Sequence, residues 1–122
     1  NLMDSGSMKN ILFDCEYTEF RRAYPAFRER LRAMAEEEEE IGEMLMNCLG
    51  FLETDYRVFA MEELIKCLGK KPKQVELVVL HALIKWSLCR MAEGYKLFWE
   101  AYEIAPEDPM VVLFLRLTTP KV

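Results

Sequence analysis

Histidine is almost missing from this chain: its 122 residues include one, His81. The four cysteines, Cys15, Cys48, Cys67 and Cys89, stand 33, 19 and 22 residues apart, and none forms a CxxC pair. Without clustered Cys and His ligands no metal site is expected, and scattered thiols suit a reducing compartment in which buried Cys acts as a small apolar residue. Glycine and proline are sparse at five each, against 52% hydrophobic and 30% charged residues, which excludes collagen-like, low-complexity and disordered chains. There is no glycine-rich phosphate loop of the GxGxxG or Walker type, so no nucleotide cofactor is expected. No apolar run reaches the roughly 18 residues of a membrane span; the longest is broken by His81, Lys85 and Ser87. Basic residues are outnumbered 16 to 21, for a net charge of −5, which argues against nucleic acid as a partner. His81 has no nucleophile or orienting carboxylate beside it, so no catalytic residue is assigned and an enzyme is not expected.

The first seven residues, Asn1 to Ser7, precede a second Met, Met8, and read as a disordered expression scar. No charged stretch leads into an apolar one here, so the expectation is a cytoplasmic protein with a single domain over residues 8–122. Alternating apolar patterns and Asn-Gly or Asp-Gly turns are missing, while apolar residues recur every three and four positions. The fold class is therefore all-α. Pro25 fits the first turn of a helix running through Leu31, Asp55 interrupts between Leu52 and Val58, and Gly69 to Pro72 and Pro106 to Pro109 each end a helix.

Shifting the chain against itself by 34 residues exposes an internal repeat. Small residues meet small ones, with Cys48 on Ala82, Ala60 on Gly94 and Cys67 on Ala101; large meet large, with Leu64 on Phe98; and Pro72 falls on Pro106. These ten residues are expected to make the packing contacts of two repeat units, at about 41–74 and 75–108, closed by a capping helix over 109–118. The same shift upstream puts Ala60 on Ala26 and Cys67 on Ala33 but Leu64 on Arg30, leaving open whether residues 9–40 are a third, degenerate unit or a cover for the groove.

From Gly42 to Leu117 this pattern resembles the tetratricopeptide repeat (TPR), with Gly94, Phe98, Ala101 and Pro106 matching the second helix and closing proline of a unit. Asn47, His81 and Lys85 depart from it, where TPR units carry large apolar or aromatic residues. The resemblance implies antiparallel helix pairs whose first helices line a concave groove. On the 34-residue register, the groove positions are Leu45, Leu49 and Leu52 in one unit and Val79, Leu83 and Trp86 in the next. All six are apolar, so the clamp of Lys, Arg and Asn that holds charged peptide tails in other TPR domains is not expected.

The segment from about Glu76 to Cys89 is apolar around nearly its whole circumference, and such a helix must be covered. The cover is the N-terminal helix, a second copy of the chain, or a partner helix laid into the groove. Small size, acidity and the run from His81 to Arg90 ahead of Pro106 are similar to the cytoplasmic TPR-like chaperones of type III secretion that hold the needle subunit. That resemblance implies sequestration of an amphipathic helix of a self-assembling subunit and help from a small helical co-chaperone; the apolar helix itself allows a homodimer when the chain is unliganded. A general TPR-like scaffold or adaptor with an internally filled or dimeric groove is the alternative. Five consecutive glutamates, Glu36 to Glu40, read as a solvated face or turn, or as a dock for a basic partner, and Arg32 and Glu36 have helix-pair spacing.

Overall fold

The computed structural model describes residues 18–119, with side chains from residue 22 onward. The expectations for Asn1 to Ser7 and for Cys15 lie outside the described residues. Within them are six helices and no strand: α1 (Thr18–Glu37), α2 (Glu39–Glu53), α3 (Arg57–Lys70), α4 (Val75–Ser87), α5 (Met91–Ile104) and α6 (Pro109–Thr118). The chain is an all-α helical-repeat protein. Each helix packs on the next, and α1 packs on α6 as well as on α2, which closes the series on itself.

The repeat is written in the backbone as well as in side-chain volume. α3 and α5 have the same 14-residue length and begin and end 34 positions apart. Asp55 and Cys89, also 34 apart, both take φ 63°, the left-handed region. At each, the residue after the left-handed one donates its N–H back across the end of the preceding helix, Tyr56 to the Phe51 carbonyl (2.7 Å) and Arg90 to the Lys85 carbonyl (3.0 Å). The left-handed residue itself donates to Leu52 in one turn and to Trp86 in the other. This pair of bonds satisfies carbonyls that a helix end would otherwise leave unpaired, and so stops α2 and α4 in the same way. Lys71 and Ala105 end α3 and α5 with matching dihedrals, φ −132°, ψ 66° and φ −139°, ψ 72°.

Small residues sit where helices cross. Cys48, Ala60, Leu64 and Cys67 in one unit and Ala82, Gly94, Phe98 and Ala101 in the other are all buried, while Pro72 and Pro106 lie exposed in the turns. A Cβ on Gly94 would stand 2.9 Å from the Ala82 carbonyl oxygen and 3.3 Å from the Trp86 nitrogen. Both partners of this crossing are one heavy atom smaller than their counterparts Cys48 and Ala60, so α4 and α5 approach with no room for more.

One sequence expectation changes, and one alternative left open loses its support. Pro25 lies inside α1 rather than in its first turn. It occupies the exposed side, while Tyr24, Phe27, Leu31 and Met34 bury the opposite stripe and hold the helix through it. Nor does α1 continue the 34-residue register: Ala26 and Ala33, which it would place at crossings, are exposed. The joint explains why. One residue, Glu38, separates α1 from α2, whereas four separate α3 from α4, so α1 presents a different face and makes its close approach through Ala35 against Gly42.

Candidate functional site

The six predicted groove residues come from two helices of one layer. Leu45, Leu49 and Leu52 on α2 and Val79 and Leu83 on α4 are at most 2% exposed, and Trp86 is half-buried near the end of α4. They line no open groove. The five buried ones belong to one continuous core with Tyr24, Phe27, Leu31, Met34 and Ala35 of α1. Of the three covers the sequence allowed, the N-terminal helix shares the core with them and packs on α2 and α6.

Two kinds of contact seat α1. The apolar one runs through Phe27, whose ring meets Phe114 of α6 edge-on at 5.8 Å; Phe114 in turn stacks on Phe98 of α5 at 6.0 Å. Such aromatic contacts add to the gain from burial itself. The polar one is Arg30. Its Nε donates to Glu76 Oε2 at 2.9 Å in the first turn of α4, and its two terminal nitrogens fork onto the carboxylate of Asp108, Nη1 to Oδ1 at 3.1 Å. A bidentate guanidinium–carboxylate pair with partners largely removed from solvent is among the stronger polar contacts a protein makes.

Asp108 also caps α6, its Oδ1 accepting the Met110 N–H at 3.0 Å. The Arg30 hydrogen bonds hold its carboxyl below the usual range against the opposing effect of burial. Burial would raise Glu76, yet hydrogen bonds from Gln74, its own backbone and Arg30 bring it below its ordinary value. Both carboxylates are thus charged at neutral pH, and one guanidinium ties the starts of α4 and α6 to the middle of α1.

Arg28 and Arg32 of α1 are also engaged within the chain. Arg28 and Arg32 both reach Glu53, the last residue of α2, at 3.4 Å; Arg32 therefore turns to the neighbouring helix and not to Glu36 along its own. In the acidic run, Glu38 lies 3.6 Å from Lys71 and Glu40 3.8 Å from Lys70. These surface pairs are individually weak.

Two open hollows stand out among the described residues. One of about 450 Å³ lies between α1 and α2, with Glu36, Glu39 and Glu43 around Met46. The other, about 650 Å³, is lined by Val58, Met61 and Ile65 of α3 with Lys85, Leu88 and Arg90 beyond them. His81 is half-buried on α4, and burial, then the Lys85 charge, disfavours its protonated form. Cys48 and Cys67 are buried free thiols, whereas Cys89 is exposed. Among the described residues no three His, Cys, Asp or Glu side chains are placed to hold a metal, and no helix is long and apolar enough to cross a membrane.

Sequence reasoning found the apolar surface and not what fastens its cover. Arg30 is 46 residues from Glu76 and 78 from Asp108, and no local pattern links positions so distant. The one available signal was an arginine at a position where the 34-residue register asks for a leucine.

No family model matches the chain, and no curated protein or solved structure matches it.

Proposed function

We propose that this chain is a TPR-like protein-binding module that serves type III secretion as a cytoplasmic chaperone, holding an amphipathic helix of a self-assembling subunit together with a small helical co-chaperone. The observation that carries the TPR-like part is the 34-residue repeat in backbone angles, helix ends and buried small residues. The secretion part rests on the resemblance of the His81 to Arg90 run and Pro106, on size and on net acidity. The chemistry of the concave surface suits such a client: Leu45, Leu49, Leu52, Val79 and Leu83 are matched by an apolar helix stripe, and the carboxylates of Glu76 and Asp108 select a cation at its edge.

A second reading is favoured by one specific observation. With α1 already seated on the concave surface, the chain is also a finished scaffold whose binding faces are the open hollows on its outside. Co-expression with the products of the genes that neighbour its own, taken as candidate client and co-chaperone, separates the two. The chaperone reading expects a stable complex whose mass, by size-exclusion chromatography with light scattering, equals one chain plus client and co-chaperone. A monomer at every concentration that captures neither neighbour leaves the scaffold.

A further inference from the structure

The apolar faces of α2 and α4, the concave surface of the TPR-like reading, share one core with a helix of this same chain, so the structure displays the chemistry of a helix that fits them. α1 presents Phe27, Leu31 and Met34, spaced i, i+4 and i+7, as one buried stripe, with Arg30 beside it on Glu76 and Asp108. Among the described residues, Glu38 is what links it to α2. The layer behind it does not depend on it for continuity, because α2 to α6 each pack on their neighbours in sequence. What α1 supplies is a buried apolar stripe in the shared core and a counter-charge for two carboxylates.

We propose that α1 is a displaceable stand-in for a partner helix: the concave surface accepts an amphipathic helix that places large apolar side chains at the Phe27, Leu31 and Met34 positions and a cation at the Arg30 position, and α1 leaves as it enters. This rests on the reading that the surface binds helices, and it adds the pattern of the partner and the competition that controls access. A helix with a carboxylate at the Arg30 position would face Glu76 and Asp108 and be rejected, so the two carboxylates act as a selectivity filter. The competition has a quantitative consequence. An outside helix binds only the fraction of chains with α1 displaced, and its apparent dissociation constant is the intrinsic one divided by that fraction. Loosening α1 without touching the surface beneath must therefore tighten binding.

The test uses the full chain and a fluorescein-labelled peptide with the sequence of residues 22–37, followed by anisotropy at neutral pH. Arg30→Ala removes three charge-assisted hydrogen bonds from α1 and leaves α2 to α6 unaltered. The expected result is a dissociation constant for the peptide at least tenfold lower with Arg30→Ala than with the unaltered chain, about 1.4 kcal/mol. A peptide carrying Leu31→Glu should bind neither protein. A folded Arg30→Ala chain that binds the peptide no more tightly than the unaltered one overturns the proposal, as does equal binding of the Leu31→Glu peptide. Should Arg30→Ala fail to fold, hydrogen exchange on the unaltered chain decides: α1 amides from Ala26 onward should open at least ten times more often than those of α4. Equal protection of the two helices means that α1 is a fixed part of the core, and the proposal falls. A client captured in co-expression while the peptide test fails would leave the chaperone reading standing with its site elsewhere; failure of both removes both.

Discussion

Two glycines of one helix should respond in opposite directions to the same substitution, because only one of them lies under α1. Gly42 and Gly50 both belong to α2, and no described glycine has a positive φ, so alanine fits either backbone. In a helix interior that change intrinsically stabilises by about 0.8–1.0 kcal/mol. At Gly50, which is exposed with nothing within 4 Å of the added Cβ, this gain should be realised almost in full. At Gly42 the Cβ would land on the backbone carbonyl oxygen of Ala35, closer than Cβ atoms come to anything in real proteins, and backbone cannot swing aside as a flexible side chain could. The α1–α2 hairpin would have to open by about an ångström, and forcing atoms into a packed interior costs about 1–3 kcal/mol. The intrinsic gain is common to both variants and cancels between them. Gly42→Ala should therefore melt below Gly50→Ala by about 4–12 °C in a thermal scan followed by circular dichroism, taking roughly 4 °C per kcal/mol at this size. Equal melting temperatures for the two variants would mean that α1 does not approach α2 through this glycine, and the account of the joint would be wrong.

Leu83→Glu, which would test binding if Leu83 faced an open groove, puts a carboxylate at a fully buried position and should abolish cooperative unfolding; Trp86→Ala, at a half-buried one, should keep its helical signal and lose about 1–3 kcal/mol in urea titration. The single histidine should titrate by NMR with a midpoint below 6.5, since burial and then Lys85 disfavour the charged ring. Its folded pKa being lowered, its contribution to stability is present above the unfolded value and is lost as pH falls through the folded one. Burial pushes Cys48 up to about 12 and Cys67 to about 11, so brief alkylation followed by mass mapping should modify Cys89 and spare those two until denaturant is added; early labelling of Cys48 would contradict its place in the core. Cys89→Gly should raise stability by about 1 kcal/mol, because a left-handed residue with a Cβ is strained where glycine is not, and an unchanged melting temperature would argue against φ 63° at that position.

The parts of this fold that were legible in the sequence are those fixed by volume. Two helices can cross closely only where both are small, and the pairs Cys48 with Ala82 and Ala60 with Gly94 expose the period because each sits at such a crossing. The turns were legible through Pro72 and Pro106, which cannot continue a helix. The placement of α1 was not, for two reasons. Its register depends on how many residues join it to α2, and a stretch of five glutamates carries no mark of where a helix stops. Its anchor depends on side chains that meet only after the chain has turned back on itself. The left-handed Asp55 and Cys89 were hidden for a related reason: helix ends of this kind usually carry glycine, and here the hydrogen bonds of the turn hold aspartate and cysteine in its place.

The charge on α1 argues about its role as well as its position. α3 and α5 bury Ala60, Leu64 and Cys67 and Gly94, Phe98 and Ala101, and each adds a single ion pair to a neighbouring helix, Lys70 to Glu40 and Glu93 to Lys85. α1 has three arginines, at 28, 30 and 32, directed onto Glu53 of α2, Glu76 of α4 and Asp108 at the start of α6. An apolar stripe fits any apolar surface of about the right shape, whereas opposed charges also reject what does not match. A surface that closes on one helix by burial and chooses it by charge is suited to exchanging that helix for another of the same pattern, and the position that decides the exchange is Arg30.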